Sequence, residues 1–179
     1  DACELMNVGV NYLREHMPDS ARVHYAYLDA GGVAPNVVQA KATVRQLVRA
    51  ADLDTLRDLV LRVRSIGDGA AMMTGTTVET KVYSGVSNLV GNRPLEETMQ
   101  REFEKLGPVP FEANDESLAN DIRKTLTRDD ILASFQRIGV ETPEDLPLCD
   151  FVAPLDRINS GGEGSTDVGD VSWVVPTVQ

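Results

Sequence analysis

The sequence predicts a mixed α/β (α+β) chain whose first part is a ferredoxin-like domain, β-α-β-β-α-β, without its first strand. Two segments have apolar residues at helical spacing, three have strand-like patterns, and their order is α-β-β-α-β. One strand in front would complete the split βαβ unit. In that fold the first strand lies in the middle of the sheet. Without it, the backbone N–H and C=O groups of the last strand have no neighbouring strand to pair with. We therefore expect the sequence to be a piece of a longer protein.

The first two elements are a helix and a strand. Residues 4–17 repeat apolar side chains every three or four positions, and Pro18 ends the pattern. Residues 21–28 alternate apolar and polar side chains, which is typical of a half-buried strand. Gly31 and Gly32 mark the turn that follows.

A longer strand is predicted over residues 37–49, where small or apolar side chains alternate with polar ones. The alternation breaks at Gln46 and Leu47, which predicts a β-bulge at that point.

The strongest helical pattern covers residues 52–74, with Asp52 as its expected N-cap and Gly75 as its expected C′ residue. Residues 76–83 are rich in Thr and Val and predict a third strand.

Residues 1–88 are therefore predicted to form one domain, and residues 89–179 part of another domain, because residues 89–179 contain few apolar positions for a core of their own. The predicted elements of the second part are helices at 92–106, 115–126 and 128–138, loops over 139–164, and a short strand at 170–175.

Composition limits the partners and the compartment. The formal net charge of −11 and the lack of a Lys/Arg cluster exclude a nucleic-acid-binding role. No apolar run is long enough to span a membrane, and the first residues do not resemble a signal peptide. Cys3 and Cys149 form no CxxC pair, so we expect a reducing, cytoplasmic setting.

Residues that carry chemistry are sparse. His16 and His24 are the only histidines, whereas hydrolytic metal sites combine several His and carboxylate ligands. We expect no complete metal site and no catalytic residue in this sequence. Asp167 and Asp170 lie in a Ser/Gly-rich stretch, where their spacing alone is typical of a turn with side-chain hydrogen bonds.

Three segments nevertheless carry a specific resemblance. Residues 31–38 (GGVAPNVV), with the strand end at 48–50 (VRA), resemble the lid domain of the dizinc amidohydrolases related to aminoacylase and carboxypeptidase G. Residues 165–173 (STDVGDVSW) and 4–16 are similar to a branch of that family that acts on p-aminobenzoyl-glutamate.

The resemblance implies that residues 1–88 are a ferredoxin-like lid and dimerisation domain, inserted into a zinc-peptidase-like catalytic domain of which residues 89–179 are the C-terminal part. The positions that match the family's substrate-binding residues are Asn36 and Arg49. Arginine offers a two-pronged donor to a carboxylate, and an Asn amide can donate to an oxyanion. Without the resemblance, a turn Asn and an edge-strand Arg would be the simpler interpretations. The matching active-site loop contains Ser165, Thr166, Asp167 and Asp170.

The spacing of Asn36 and Arg49 adds a prediction. They are 13 positions apart, which a straight strand would extend to roughly 40 Å. Because one small substrate cannot bridge that distance, we expect Asn36 to serve the partner's site in a homodimer and Arg49 its own.

The resemblance further implies that the intact protein cleaves the amide bond of an N-acyl amino acid such as p-aminobenzoyl-glutamate. It would use two divalent metal ions, zinc or manganese, whose ligands lie outside this sequence, and it would pair with itself or with a homologous subunit. Two alternatives stay open: a stand-alone module for dimerisation or small-ligand binding, and a dipeptidase of the same family.

Overall fold

The chain folds into two compact units, Asp1–Asn88 and Leu89–Gln179. The computed structural model describes residues 1–137, 139–140, 146–156 and 166–178. Helices and strands are both present, as predicted for an α+β chain. Among the described residues, no helix combines the length and the apolar character needed to span a lipid bilayer.

The first unit contains two long helices and two strands. Its elements are α1 (Ala2–Leu13), a 3₁₀ turn (Arg14–His16), β1 (Arg22–Asp29), β2 (Thr43–Arg49) and α2 (Leu53–Thr74). The helices predicted over 4–17 and 52–74 and the strand predicted over 21–28 are confirmed.

Helix α2 begins and ends where its local sequence predicts. The Asp52 carboxylate accepts a hydrogen bond of 2.8 Å from the Thr55 backbone N–H and caps the helix. This bond lowers the pKa of Asp52, because it favours the charged form. Gly75 follows the last turn in the left-handed region, with φ +63°, which a residue with a Cβ adopts at a cost.

Strands β1 and β2 form an antiparallel pair in which Arg22 lies opposite Arg49 and Asp29 lies opposite Thr43. Two details of the predicted strand 37–49 are wrong. The strand begins only at Thr43, because the preceding residues fold back as a loop in which Gln39 lies against Gly31. The register irregularity falls between Tyr27 and Asp29 on β1, not at Gln46 and Leu47.

The polar side chain of Gln46 explains why the alternation breaks there without a bulge. Gln46 pairs regularly with Tyr25, and its Nε2 donates to Asn7 Oδ1 of α1 at 3.1 Å. Asn7 is buried, and the Gln46 Oε1 atom is buried without a hydrogen-bond partner among the described residues. The break therefore marks a polar contact between helix and sheet.

The strand predicted over 76–83 is also wrong, since these residues join no ladder. The sheet in the described part of the chain has two strands only, and a strand is defined by a paired neighbour. The segment instead follows α2, where Val78 lies beside Gly67. The ferredoxin-like arrangement is thus not seen.

The core of the first unit lies between the helix pair and one face of the ribbon. Its buried side chains are Val10, Leu13, Val23 and Val63, surrounded by Met6, Met17, Val48 and Ile66. Burial of each such side chain stabilises the fold by about 1.5–3 kcal/mol. The opposite face of the ribbon is left to solvent.

The second unit is helical in its described part. Its helices are α3 (Arg93–Leu106), α4 (Ala113–Arg123), α5 (Arg128–Arg137) and α6 (Val168–Ser172). The first three confirm the predicted helices to within a few residues. The described residues 139–140 and 146–156 contain no helix or strand, as expected for loops, and the rest of 141–165 lies outside the described residues.

The strand predicted at 170–175 is wrong, because this segment begins within α6. The backbone N–H groups of Val174 and Val175 both donate to the Val171 carbonyl, which continues the helical turn. The apolar residues that suggested a strand are exposed, with Val174 81% exposed. Local hydrogen bonding prevails where no second strand offers pairing.

Candidate functional site

The loop between β1 and β2 holds Asn36 on a tight turn. The Val37 N–H donates to the Ala34 carbonyl at 3.3 Å, and Pro35 at the second position has the φ that such a turn needs. Asn36 has no positive φ, so the turn is not of type II. The Asn36 side chain is exposed at the tip.

Two glycines allow this loop to fold back on itself. The Asp29 carboxylate accepts from the Gly31 N–H at 2.8 Å, and Gly31 has φ +94°. A Cβ on Gly31 would overlap Gln39 and lie 3.0 Å from the Lys41 carbonyl oxygen. Position 31 therefore needs a glycine, both for its positive φ and because no Cβ fits beside Gln39.

Replacing Gly31 by alanine should lower the free energy of unfolding of the first unit by about 1–2 kcal/mol, because a Cβ is strained at this φ. The near-ultraviolet circular dichroism of the tyrosines measures the stability of this unit, since all four tyrosines lie within Asp1–Asn88. Gly85→Ala is the control, because a Cβ there meets nothing within 4 Å. Equal stabilities for the two variants would contradict the prediction.

Arg49 lies at the other end of the ribbon from Asn36. It ends β2 opposite Arg22 and is half-buried, whereas Asn36 lies beyond the end where Asp29 faces Thr43. Seven residues of strand span about 20 Å. The structure therefore does not bring the two predicted residues together, although the paired strand is only half as long as expected.

The face of the ribbon opposite the core is basic. Because paired residues and every second residue share a face, it carries the pairs Arg22–Arg49, His24–Leu47 and Ala26–Arg45, which we call the basic face. These six residues include three arginines and one histidine, and the next pair on this side, Asp29–Thr43 at the loop end, brings the carboxylate that accepts from the Gly31 N–H. The Arg45 guanidinium also stacks on the Tyr83 ring, 5.5 Å from its centroid.

Sequence reasoning missed this face. The signal was available, since the alternation that predicts β1 places Arg22 and His24 on one side, and β2 repeats the pattern with Arg45 and Arg49. What the sequence alone lacks is the register that sets Arg22 directly opposite Arg49.

The helix-side face of the ribbon carries a titratable group as well. Desolvation raises the pKa of the Tyr27 hydroxyl, and the nearby Glu4 carboxylate adds to the effect. The raised pKa keeps the hydroxyl protonated at neutral pH, and the hydroxyl lies beside the buried Asn7 side chain at the contact between α1 and the sheet.

In the second unit, the predicted active-site loop enters α6. Thr166 and Asp170 are described, and Ser165 lies outside the described residues. Thr166 Oγ1 accepts from the Val168 N–H at 3.3 Å, so Thr166 makes the side-chain bond that was expected from an Asp. Asp167 occupies the N-cap position without a side-chain bond to the helix, and both aspartates are exposed.

Ser172 was not predicted as a site residue, yet it fixes this loop. Its hydroxyl is buried, donates to the Gly169 carbonyl at 2.5 Å and accepts from the Val90 N–H at 2.8 Å. A cleft beside it is lined by residues 90–92 and 172–177. Ser172 thus ties the short helix to the start of the second unit.

A second polar cluster joins α3 to residues 153–156. Arg93 pairs with Glu97 at 2.9 Å and with Asp156 at 2.7 Å. The Arg93 guanidinium lowers the pKa of Asp156, because it stabilises the carboxylate form. These groups are exposed, so the pair orders the segment but adds little stability.

The residues that the structure describes do not fit a metal ion. Within the part of the chain that the structure describes, no three His, Cys, Asp or Glu side chains come together as metal ligands would. His16 belongs to the 3₁₀ turn and His24 to the basic face.

Comparison with known proteins finds two relatives of the chain. No model of a protein family matches it. Over 189 aligned residues and 100% of this chain, it is 38% identical to a subunit of the p-aminobenzoyl-glutamate hydrolase of Escherichia coli (strain K12). Over 179 residues and 99% of the chain, it is 24% identical to Xaa-Arg dipeptidase of Mus musculus.

The chain spans only 39% of the length of the first relative and 32% of the second. Both relatives are named as enzymes that cleave amide or peptide bonds, and the match covers both units described above. Over its whole length the chain is therefore similar to a p-aminobenzoyl-glutamate hydrolase subunit and to a dipeptidase, which is the kind of relative that its sequence motifs predict.

Proposed function

We propose that the chain is the substrate-anchoring and dimer-forming part of an enzyme that cleaves the amide bond of an N-acyl amino acid such as p-aminobenzoyl-glutamate. The observation that carries this proposal is 38% identity, over the whole chain, to a protein named as a hydrolase of that substrate. The enzyme's other parts supply the reaction centre.

In this proposal Arg49 binds the substrate carboxylate through a two-pronged hydrogen bond. It lies on the basic face at the opposite end of the ribbon from the Asp29 carboxylate, which favours an anion there. Asn36 donates to the oxygen that becomes negative as the amide bond is attacked. Its exposed position on a loop tip suits a residue that reaches the site of a second protomer.

We infer that the first unit is a ferredoxin-like lid once one more strand is added between β2 and residues 76–83. One edge of β2 pairs with β1, and the structure describes no strand on its other edge. Tyr83 already lies near β2, because the Arg45 guanidinium of β2 stacks on the Tyr83 ring. A strand at this place would satisfy the backbone groups of both segments.

We further propose that the intact enzyme works with two divalent metal ions and as a dimer of this chain or of homologous chains. The first relative is itself named as a subunit, which supports an assembly. When bound, the metal ions would polarise the amide carbonyl and activate water. The described residues hold the substrate and supply no ligand set.

Calorimetric titration of the chain with p-aminobenzoyl-glutamate tests the anchoring role. Arg49→Gln should weaken binding by about 10–100-fold, since a hydrogen bond to a charged group is worth about 1.5–3 kcal/mol. Arg57→Gln is the matched control, because Arg57 is 71% exposed on α2 and pairs with Asp54 in its own helix. Equal affinities for the two variants would exclude Arg49 as the anchor.

A dipeptidase function is the second candidate, favoured by the similarity to Xaa-Arg dipeptidase. A dipeptide that ends in arginine, titrated in parallel, separates the two. Binding of the dipeptide in preference to the N-acyl glutamate would support the dipeptidase.

A further inference from the structure

Two arginines lie directly opposite each other on the basic face. Arg22 begins β1 and Arg49 ends β2, and the register makes them partners across the ribbon. Side chains so paired start about 5 Å apart at their Cβ atoms, and like charges in this position destabilise a sheet. A ligand with two negative charges would turn this repulsion into attraction.

The charge around the Arg22–Arg49 pair differs from the charge of the chain as a whole. Residues 89–179 carry 18 acidic and 8 basic residues, so most of the net charge of −11 lies there, whereas residues 1–88 carry 10 acidic and 9 basic residues. Of the acidic residues of the first unit, Asp29 lies at the loop end of β1 and the others lie outside the two strands, so none is among the six residues of the basic face. The face therefore offers an anion a local excess of positive charge.

Arg22 is held in place but keeps donors for a ligand. Its Nη1 atom donates to the Asp19 carbonyl and to the Ala21 carbonyl, the latter at 2.6 Å. Both bonds use the same nitrogen, so Nε and Nη2 make no hydrogen bond with any residue that the structure describes. The side chain itself is exposed.

We propose that Arg22 is a second substrate-binding residue and that the Arg22–Arg49 pair selects N-acyl amino acids whose side chain carries a carboxylate. This inference rests on the proposed function, in which Arg49 binds one carboxylate. Arg22 binds the other, so the pair distinguishes glutamate from glutamine at the amino-acid position of the substrate. Each arginine supplies a planar, always charged donor group that matches a carboxylate.

Titration with two ligands tests this: p-aminobenzoyl-glutamate and p-aminobenzoyl-glutamine, which lacks the second charge. The wild-type chain should bind the glutamate compound at least about 10-fold more tightly, from one charged hydrogen bond. Arg22→Gln should remove this preference and leave the affinity for the glutamine compound unchanged. Arg22→Lys, which keeps the charge but loses the two-pronged donor group, should restore part of the preference for the glutamate compound. Arg57→Gln should change neither affinity.

The outcomes separate this inference from the proposed function. If the wild type binds both ligands equally, or Arg22→Gln weakens both by the same factor, the selective role of Arg22 is wrong. Arg49 remains the anchor in that case if Arg49→Gln weakens both ligands. If the wild type binds neither ligand, both proposals are wrong. Circular dichroism of each variant shows whether a loss reflects binding or folding.

Discussion

Replacing Leu59 by alanine should lower the free energy of unfolding of the first unit by about 2–5 kcal/mol. Leu59 is 1% exposed and is among the largest fully buried side chains of the chain. Its removal leaves a cavity that the closely packed surroundings fill only in part. Since small domains are stable by only about 5–15 kcal/mol, the loss is a large share of the total.

Urea denaturation with separate signals for the two units measures this change. The tyrosines report on Asp1–Asn88, and Trp173, the single tryptophan, reports on the second unit. Leu61→Ala is the control, because it removes the same atoms from the same helix at a side chain that is 61% exposed. The tyrosine midpoint should fall strongly for Leu59→Ala and little for Leu61→Ala. Similar midpoints for both would contradict the burial of Leu59.

Local chemistry explains which elements could be predicted. Helix α2 has a capping Asp52, a left-handed Gly75 and a continuous apolar stripe, and all three signals act within a few residues. Pro94 in the first turn of α3 is a signal of the same kind. Helices are therefore readable from sequence because their hydrogen bonds are local.

Strands depend on residues far away in the chain, and only β1 and the second half of the strand predicted over 37–49 are confirmed. Residues 37–42 alternate like a strand but fold back against Gly31, and residues 76–83 have strand-like composition but join no ladder. Residues 170–175 join no strand of the described sheet and continue from a helix. The pattern identifies a surface that can pair, and only the register shows whether a partner is there.

The same distinction applies to the site. Asn36 and Arg49 were predicted through resemblance, and the structure adds that one lies on a loop tip and the other at a strand end. Their binding roles stay predictions. Arg22 matched no motif and was found only because the register sets it opposite Arg49. Side chains brought together by pairing are what a sequence without a known register cannot reveal.

A second large effect is expected where α1 crosses α2. A Cβ on Gly9 of α1 would lie 2.6 Å from the Ile66 Cγ2 methyl of α2, far closer than carbon atoms approach. Ile66 has little freedom to turn away, because a β-branched side chain in a helix has one preferred rotamer. Gly9→Leu should therefore lower the free energy of unfolding of the first unit by about 3 kcal/mol.

Gly69→Leu makes the same change on α2 at a position where a Cβ meets nothing within 4 Å. Leucine forms helices better than glycine by about 0.8 kcal/mol, so this variant should be slightly more stable than the wild type. The two substitutions thus have opposite expected signs, and thermal unfolding followed through the tyrosines distinguishes them. If Gly9→Leu were also stabilising, α1 would not approach α2 this closely. The surface of α1 that carries Gly9 would then have to pack against residues other than Ile66.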